Sequence, residues 1–288
     1  MSEKTTIAIR QMHFDDIGKC MLLSDAEHWN QTDTDWKRLI YGSQNLCLVA
    51  ESENRIVGTA TAMNYSNSVA WIGMVLVDKD YRGRGIANSL IFSLLNMLKS
   101  IKSVKLDATP AGQPVYEKIG FIYEYTIHRM VKSSVLNHRA GENMVKPEAI
   151  QPSDMNEISS LDYSVFGAQR NYLLASLYKE RSDKAFCIRQ NGRITSFSLG
   201  RKGRNYFQIG PVVAMGTTEA KILILNILEE LCGEQIVVDV LDDKVELIQW
   251  LVGAGFIHQR QFSRMYLQQN PYAGNVKNNY LICGPEYG

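Results

Sequence analysis

A mixed α/β fold, present as two consecutive copies in one chain, is the architecture this sequence predicts. Three observations predict it. The first is self-similarity, which is sought before any single element is assigned. Gly120-Phe121-Ile122 followed by Arg129-Met130 recurs as Gly255-Phe256-Ile257 followed by Arg264-Met265, at one and the same offset. Asn54-Arg55-Ile56 is echoed by Gly192-Arg193-Ile194, and Ile72-Gly73 by Ile209-Gly210, each at nearly that offset. The second is an order of β-rich runs feeding a β-loop-α-β unit. The third is length: 288 residues exceed what one small core needs, so each half can bury its own. The copies are expected at 1–132 and 146–288, joined by a polar, turn-rich linker at 133–145 within Lys132 to Lys146.

Element by element, Ile7 to Gln11 reads as a short strand, and Phe14 to Leu23 and Asp35 to Tyr41 as helices. Leu46 to Ser52 and Arg55 to Met63 flank the compact turn Glu53-Asn54, which predicts a hairpin. Val69 to Val77 is the next strand. Ile86, Leu90, Leu94, Leu98 and Ile101 then recur at helical spacing directly after a glycine-rich turn, the mark of an amphipathic helix. Val104 to Ala108 returns as a strand, Val115 to Ile119 as a short helix, and Ile122 to Val131 closes the copy as a strand.

Composition narrows the function classes. With 45% hydrophobic and 21% charged residues the chain is ordinary globular material. Its net charge of +1 supplies no global field for nucleic acid or an anionic membrane, so any phosphate site must be local. The start, Met1 to Ile7, has no long apolar run of the signal-peptide kind, and no later stretch has the length of a membrane span, so the cytoplasm is the expected compartment. Cys20, Cys47, Cys187, Cys232 and Cys283 are scattered without a C-x-x-C pair and read as reduced core thiols. His13, His28, His128, His138 and His258 show no metal-ligand spacing, and no metal is expected.

The chemistry concentrates in Ile72 to Ala87, where a buried strand runs through Asp78-Lys79-Asp80-Tyr81 into Arg82-Gly83-Arg84-Gly85 and then a helix. Glycine at 83 and 85 permits backbone conformations and close approach that a Cβ blocks, so successive N–H groups can converge on one anion. The helix start adds unpaired N–H groups and the positive end of its dipole. Arg82 and Arg84 read as cationic forks suited to a diphosphate. The string matches neither G-x-x-x-x-G-K-[ST] nor G-x-G-x-x-G, which disfavours a P-loop nucleotidase and a dinucleotide dehydrogenase.

These residues resemble the GNAT superfamily of acyl-CoA-dependent N-acyltransferases. Arg82-Gly83-Arg84-Gly85-Ile86-Ala87 fits that family's [QR]-x-x-G-x-[GA] signature after an apolar strand, and Tyr116-Glu117-Lys118-Ile119-Gly120-Phe121 its Y-x-x-x-G-F element downstream. Trp29-Asn30-Gln31-Thr32 and Leu106 to Gly112 look like a bacterial subgroup with two fused domains of this type. The resemblance implies two mostly antiparallel twisted sheets flanked by helices, acetyl-CoA as co-substrate, and an amine of a small molecule or peptide as acceptor. It also places Val75, Leu76 and Val77 along the pantetheine arm, Arg82, Gly83, Arg84, Gly85, Ile86 and Ala87 around the pyrophosphate, and Tyr116 as the acid that protonates the departing thiolate. Many members carry an asparagine shortly before that tyrosine; this chain has Thr109-Pro110 and Gln113-Pro114 instead.

Chemistry asks for the same parts. A neutral amine attacks the thioester, so the acceptor loses a proton, the carbonyl is polarised and the thiolate leaves. A tyrosine with an ordinary pKa near 10 is protonated at neutral pH and can supply the leaving group's proton. Trp29 and Asn30, with Gln31, offer an aromatic wall and amide groups to a polar acceptor; the same residues also suit a helix N-cap anchored by a buried tryptophan, and both readings stay open. Asp107 is a further candidate for the acceptor side; Glu27, His28, Asp107 and relay by water are alternatives for the general base, and none is singled out.

In the second copy the matching strand, Gln208 to Ala214, leads into Met215-Gly216-Thr217-Thr218-Glu219, with one glycine and no arginine. The tyrosine position falls in Gln249-Trp250-Leu251. This copy is expected to be a degenerate domain without a pyrophosphate loop. Two other functions fit the first copy's residues: a transferase using a longer acyl-CoA, and a non-catalytic acyl-CoA sensor or scaffold.

Overall fold

The computed structural model describes residues 6–42, 44–133, 146–231 and 233–288. The expected linker, apart from Ser133, lies outside the described residues, as do Cys232 and His138. The first copy runs β1 (Ala8–Gln11), α1 (Ile17–Ala26), α2 (Asp33–Tyr41), β2 (Leu46–Ser52), β3 (Arg55–Tyr65), β4 (Val69–Val77), α3 (Ile86–Met97), β5 (Ser103–Ala108), α4 (Gln113–Ile119) and β6 (Phe121–Lys132). The second repeats that order as β7 (Glu148–Ala149), α5 (Met155–Phe166), α6 (Asn171–Glu180), β8 (Phe186–Gln190), β9 (Arg193–Lys202), β10 (Phe207–Val213), α7 (Thr217–Glu229), β11 (Ile236–Leu241), α8 (Val245–Gly253) and β12 (Ile257–Leu267). One element has no counterpart: β13 (Asn279–Leu281).

Local chemistry explains the elements that frame the site. Thr32 opens α2 with a reciprocal cap: its hydroxyl accepts from Asp35 N, and the Asp35 carboxylate accepts from Thr32 N at 2.8 Å. The β2–β3 turn places Glu53 and Asn54 at φ 51° and 63°, the left-handed pair that a tight hairpin needs. In α3, Ile86, Leu90 and Leu94 point inward from one face onto the sheet, as their spacing predicts.

All strands join one sheet in the order β1-β2-β3-β4-β5-β12-β6-β11-β13-β10-β9-β8-β7. It is mostly antiparallel, with parallel pairing between β4 and β5 and between β10 and β11. Exchanging each strand with its counterpart reverses this order without changing it, β13 aside, so the copies are related by a pseudo-twofold between β12 and β6. The copies expected at 1–132 and 146–288 are consecutive in sequence, and their strands interleave in the one sheet. β12 lies between β5 and β6, pairing Met265 with Leu106 on one side and Phe262 with Ile127 on the other. β6 in turn pairs with β11 from Ile127 against Leu241 to Lys132 against Ile236. The closing strands are exchanged because each copy's fifth strand finds its antiparallel partner in the other copy.

Packing follows the same symmetry. One core lies under α3 and one under α7 and α8, while a third joins the copies, packing Trp36, Leu39 and Trp71 against Phe166, Leu174, Phe197 and Tyr287. Neither copy therefore completes its sheet or buries its faces alone. Residues 1–145 or 146–288 expressed separately are expected to give no folded, CoA-binding protein, whereas co-expression restores it. Calorimetric titration of CoA into each half checks this, and full affinity in residues 1–145 alone would overturn it.

Candidate active site

Parallel pairing of β4 with β5 runs from Val69–Ser103 to Ile72–Leu106 and stops, so the two strands part beyond Ile72. The divergence has a local cause. The β3–β4 register slips between Thr59 and Thr61, and Met74 takes φ 50°. Such an irregularity bends and twists the strand that carries it. Thr59 Oγ1 donates to the Met74 carbonyl at 2.7 Å and Thr61 Oγ1 to that of Gly73 at 3.1 Å, fixing the bend. The polar groups of β4 that face the opening then lack a strand partner.

A cleft of about 580 Å³ fills this opening. That is the size of a small-molecule site. Val75, Leu76 and Val77 line it along β4, and Arg82, Gly83, Gly85, Ile86 and Ala87 line it at the start of α3. Gly83 and Gly85 have φ of 76° and 78°, and a Cβ at either would meet no atom within 4 Å. The left-handed backbone, not crowding, is what demands glycine here. The first turn of α3 closes with Ser89 N on Gly85 O at 3.0 Å, so the N–H groups of Ile86, Ala87 and Asn88 have no helical partner. Unpaired N–H groups at a helix start are suited to receive an anion.

The arginines are arranged differently from the sequence expectation. Arg82 Nη2 donates to Glu27 Oε1 at 2.7 Å and Nε to the Val77 carbonyl at 3.2 Å. Arg84 does not line the cleft: Nη2 donates to the Asp80 carbonyl at 3.0 Å and the guanidinium stacks 4.7 Å from the Tyr81 ring centre. The two side chains brace the loop rather than fork into it. The groups left unpaired at this turn are backbone N–H groups.

Tyr116 reaches the same cleft from α4 and packs edge-on against Phe121, ring centres 5.8 Å apart. Burial pushes its phenol above the ordinary tyrosine value, so it is protonated at neutral pH. Trp29 lines the cleft opposite. Asn30 does not. It is 3% exposed, its Oδ1 accepts from Asn205 N and Tyr206 N, both at 2.9 Å, and its Nδ2 donates to the Tyr206 carbonyl. Its amide fastens α1 and α2 to the second copy, and this corrects its assignment to the acceptor. Asp107 lines the cleft, but its carboxylate is fully buried with both oxygens 2.9 Å from Arg264. An acid held this way is a tie between β5 and β12, not a free partner for an acceptor or a base.

Two cleft residues gave no signal in the sequence. Arg260 comes from β12, and Glu286 follows β13; both are far along the chain and belong to no motif. Only the strand exchange and the path of the last residues bring them in.

The second copy has the same geometry with a different content. β10 and β11 pair from Phe207–Ile236 to Ile209–Val238 and part, but β13 fills the opening, with Val212 and Val240 both against Leu281. Gly210, at φ 151°, admits the Ile282 carbonyl where a Cβ would collide at 2.0 Å. At the start of α7, Gly216 is extended at φ −159°, and a Cβ on it would stand 3.0 Å from Glu219 Oε2. A carboxylate therefore lies where the first copy offers bare N–H groups.

Two parallel strands that part beside a left-handed glycine turn and a helix start, with a tyrosine facing them, define an acyl-CoA-dependent N-acyltransferase. Family models agree: residues 21–127 and 158–281 each match an acetyltransferase (GNAT) domain. The chain is built of two GNAT acetyltransferase domains in tandem and belongs to that superfamily. It is similar to an uncharacterized N-acetyltransferase, YitH, of Bacillus subtilis, at 24% identity over 74% of this chain and 73% of that protein. A holothin acyltransferase of Pseudoalteromonas shares 22% identity over 85% of this chain and 83% of its own. The fold matches the crystal structure of a putative acetyltransferase from Pyrococcus horikoshii with a TM-score of 0.81 and 22% identity, over 100% and 99% of the two chains. Among the described residues no helix is long and apolar enough to cross a membrane, and no group of His, Cys, Asp or Glu is arranged to hold a metal.

Proposed function

We propose that the chain moves acetyl from acetyl-CoA to an amine of a small molecule or peptide by direct attack within a ternary complex. One observation carries the reading: of two equivalent strand openings, the first is an open cleft with a glycine cradle and Tyr116, while the second is filled by β13. Pantetheine lies along Val75, Leu76 and Val77 and pairs with the backbone that β5 leaves free. The pyrophosphate rests on the N–H groups from Arg82 to Ala87. A β4 N–H near Met74 polarises the thioester carbonyl, and Tyr116 protonates the thiolate as the C–S bond breaks.

Calorimetry is expected to return one CoA per chain, and Gly85→Glu to abolish binding. That substitution forces a side chain into the left-handed region and sets a negative charge where the pyrophosphate approaches. Release of free CoA thiol with an amine panel then separates a transferase from a sensor. Two sites per chain, or unchanged affinity in a folded Gly85→Glu variant, would remove the cradle from the mechanism.

A further inference from the structure

We propose that the acceptor is an amine bearing an anionic group, its nitrogen received by Glu286 and its anion by Arg260. This rests on the acetyl-transfer reading above and names the acceptor's chemistry. Both residues come from the second copy, which gives that copy a part in the reaction.

The last residues leave the second copy's filled opening and run to the first copy's open one. The Pro285 carbonyl accepts from Trp71 Nε1 at 3.0 Å, and the Tyr287 carbonyl from Tyr65 OH at 2.7 Å. Between them Glu286 lies against β4 at the point where β4 and β5 part: a Cβ on Gly73 would stand 2.9 Å from Glu286 Cα. Gly73 is thus the close approach that lets the segment in.

The Glu286 side chain is 2% exposed and half engaged. Oε1 accepts from Arg201 Nη2 at 2.6 Å, and Arg201 is itself held by Asp35 at 2.7 Å. Oε2 is buried with no hydrogen-bond partner. An unpartnered buried acceptor is costly, and more so when charged, so this oxygen is suited to receive a donor from a bound molecule. Gln31 Oε1, in the same cleft, is a second buried acceptor without a partner. Two unpartnered buried acceptors thus belong to residues that line the cleft.

A cation without an ion-pair partner among the described residues lines the same cleft. Three arginines line the cleft. Arg82 is held by Glu27, and Arg129 by Asp239 through two bonds of 2.7 Å. The Arg260 side chain has neither a hydrogen bond nor an ion pair among the described residues. It follows a register slip between His258 and Arg260 in the β12–β6 pairing, a device that re-aims side chains. A guanidinium remains charged at neutral pH and matches a carboxylate or phosphate with two parallel bonds.

The chemistry balances. The amine lone pair attacks the thioester carbonyl and forms the C–N bond, its proton passes to Glu286 Oε2, and the C–S bond breaks with the thiolate taking the Tyr116 proton. Amide and CoA thiol leave, Glu286 releases its proton to solvent, and Tyr116 regains one from it.

The test uses the full chain, acetyl-CoA and matched amine pairs: α-amino acids against their carboxamides, and amino sugars with and without a phosphate. One anionic series is expected to exceed its neutral partners in kcat/KM by about 30-fold or more, and which series does so identifies carboxylate or phosphate. Arg260→Ala should reduce that ratio to within a few-fold, Arg260→Lys should keep part of it, and both should bind CoA normally. Glu286→Gln should lower kcat by about 10²-fold with CoA affinity retained. Equal use of anionic and neutral amines, a ratio that survives Arg260→Ala, or loss of CoA affinity in that variant would overturn the inference and leave acetyl transfer standing. If CoA binds but no amine in any series releases thiol, the transferase reading falls and this inference with it.

Discussion

Tyr116→Phe is expected to lower kcat by about 10²- to 10⁴-fold while acetyl-CoA affinity moves by no more than a few-fold. That range is what general acid catalysis typically contributes. The ring remains, with its edge contact to Phe121 and its place against Gly112, so α4 keeps its packing. The hydroxyl makes no hydrogen bond among the described residues, so none is lost. Burial alone raises its pKa, which keeps the proton available but makes the phenolate harder to form. The proton donor is therefore the one function removed. Single-turnover kinetics beside direct CoA titration separates the effects: a joint fall in rate and affinity would mean that the hydroxyl binds sulfur in the ground state. Near-normal turnover with chemistry rate-limiting would make Tyr116 a packing residue.

Asp107→Ala is expected to lower global stability by about 3–5 kcal/mol, because it strands a buried guanidinium. Arg264 is 4% exposed, donates twice to Asp107 and once to Tyr125 OH at 2.7 Å, and lies 4.5 Å from the Trp71 ring centre. Without the carboxylate the hydroxyl and the ring remain, and neither neutralises the charge. The pair also bridges β5 and the exchanged strand β12, so its loss weakens the join between the copies at the cleft floor. Denaturant unfolding of the full chain measures the change. A double replacement by apolar residues of similar volume should recover much of the loss, since a well-packed apolar pair avoids the desolvation of two charges. A midpoint within error of the parent for Asp107→Ala would show that Arg264 finds another partner.

Much of the site was legible because its parts are local. The Glu53-Asn54 turn, the helix from Ile86 and the glycines at 83 and 85 each answer to contacts within a few residues, and their spacing carries the information. The strand limits at Leu46–Ser52 and Val69–Val77 were read to the residue for the same reason. The partners of the Arg82, Arg84, Asn30 and Asp107 side chains were not legible for a shared reason. A charged or amide group near a motif looks available until its partner is known, and those partners are Glu27, Tyr81, Tyr206 and Arg264, 3 to 176 positions along the chain.

The sequence by itself determined the repeat, the element order, the cradle backbone and the presence of a tyrosine after it, since turn conformation and helical periodicity depend on neighbouring residues. Tertiary structure alone decided that β6 and β12 change places, that β13 closes one opening, and that Glu286 and Arg260 face the other. The reason is that a strand's edge can pair with any antiparallel run of matching register and burial, and nothing in a strand's own residues says which copy supplies it. Only the simultaneous filling of the shared core around Trp36, Trp71 and Tyr287 selects the exchanged arrangement, and with it the residues that meet at the cleft.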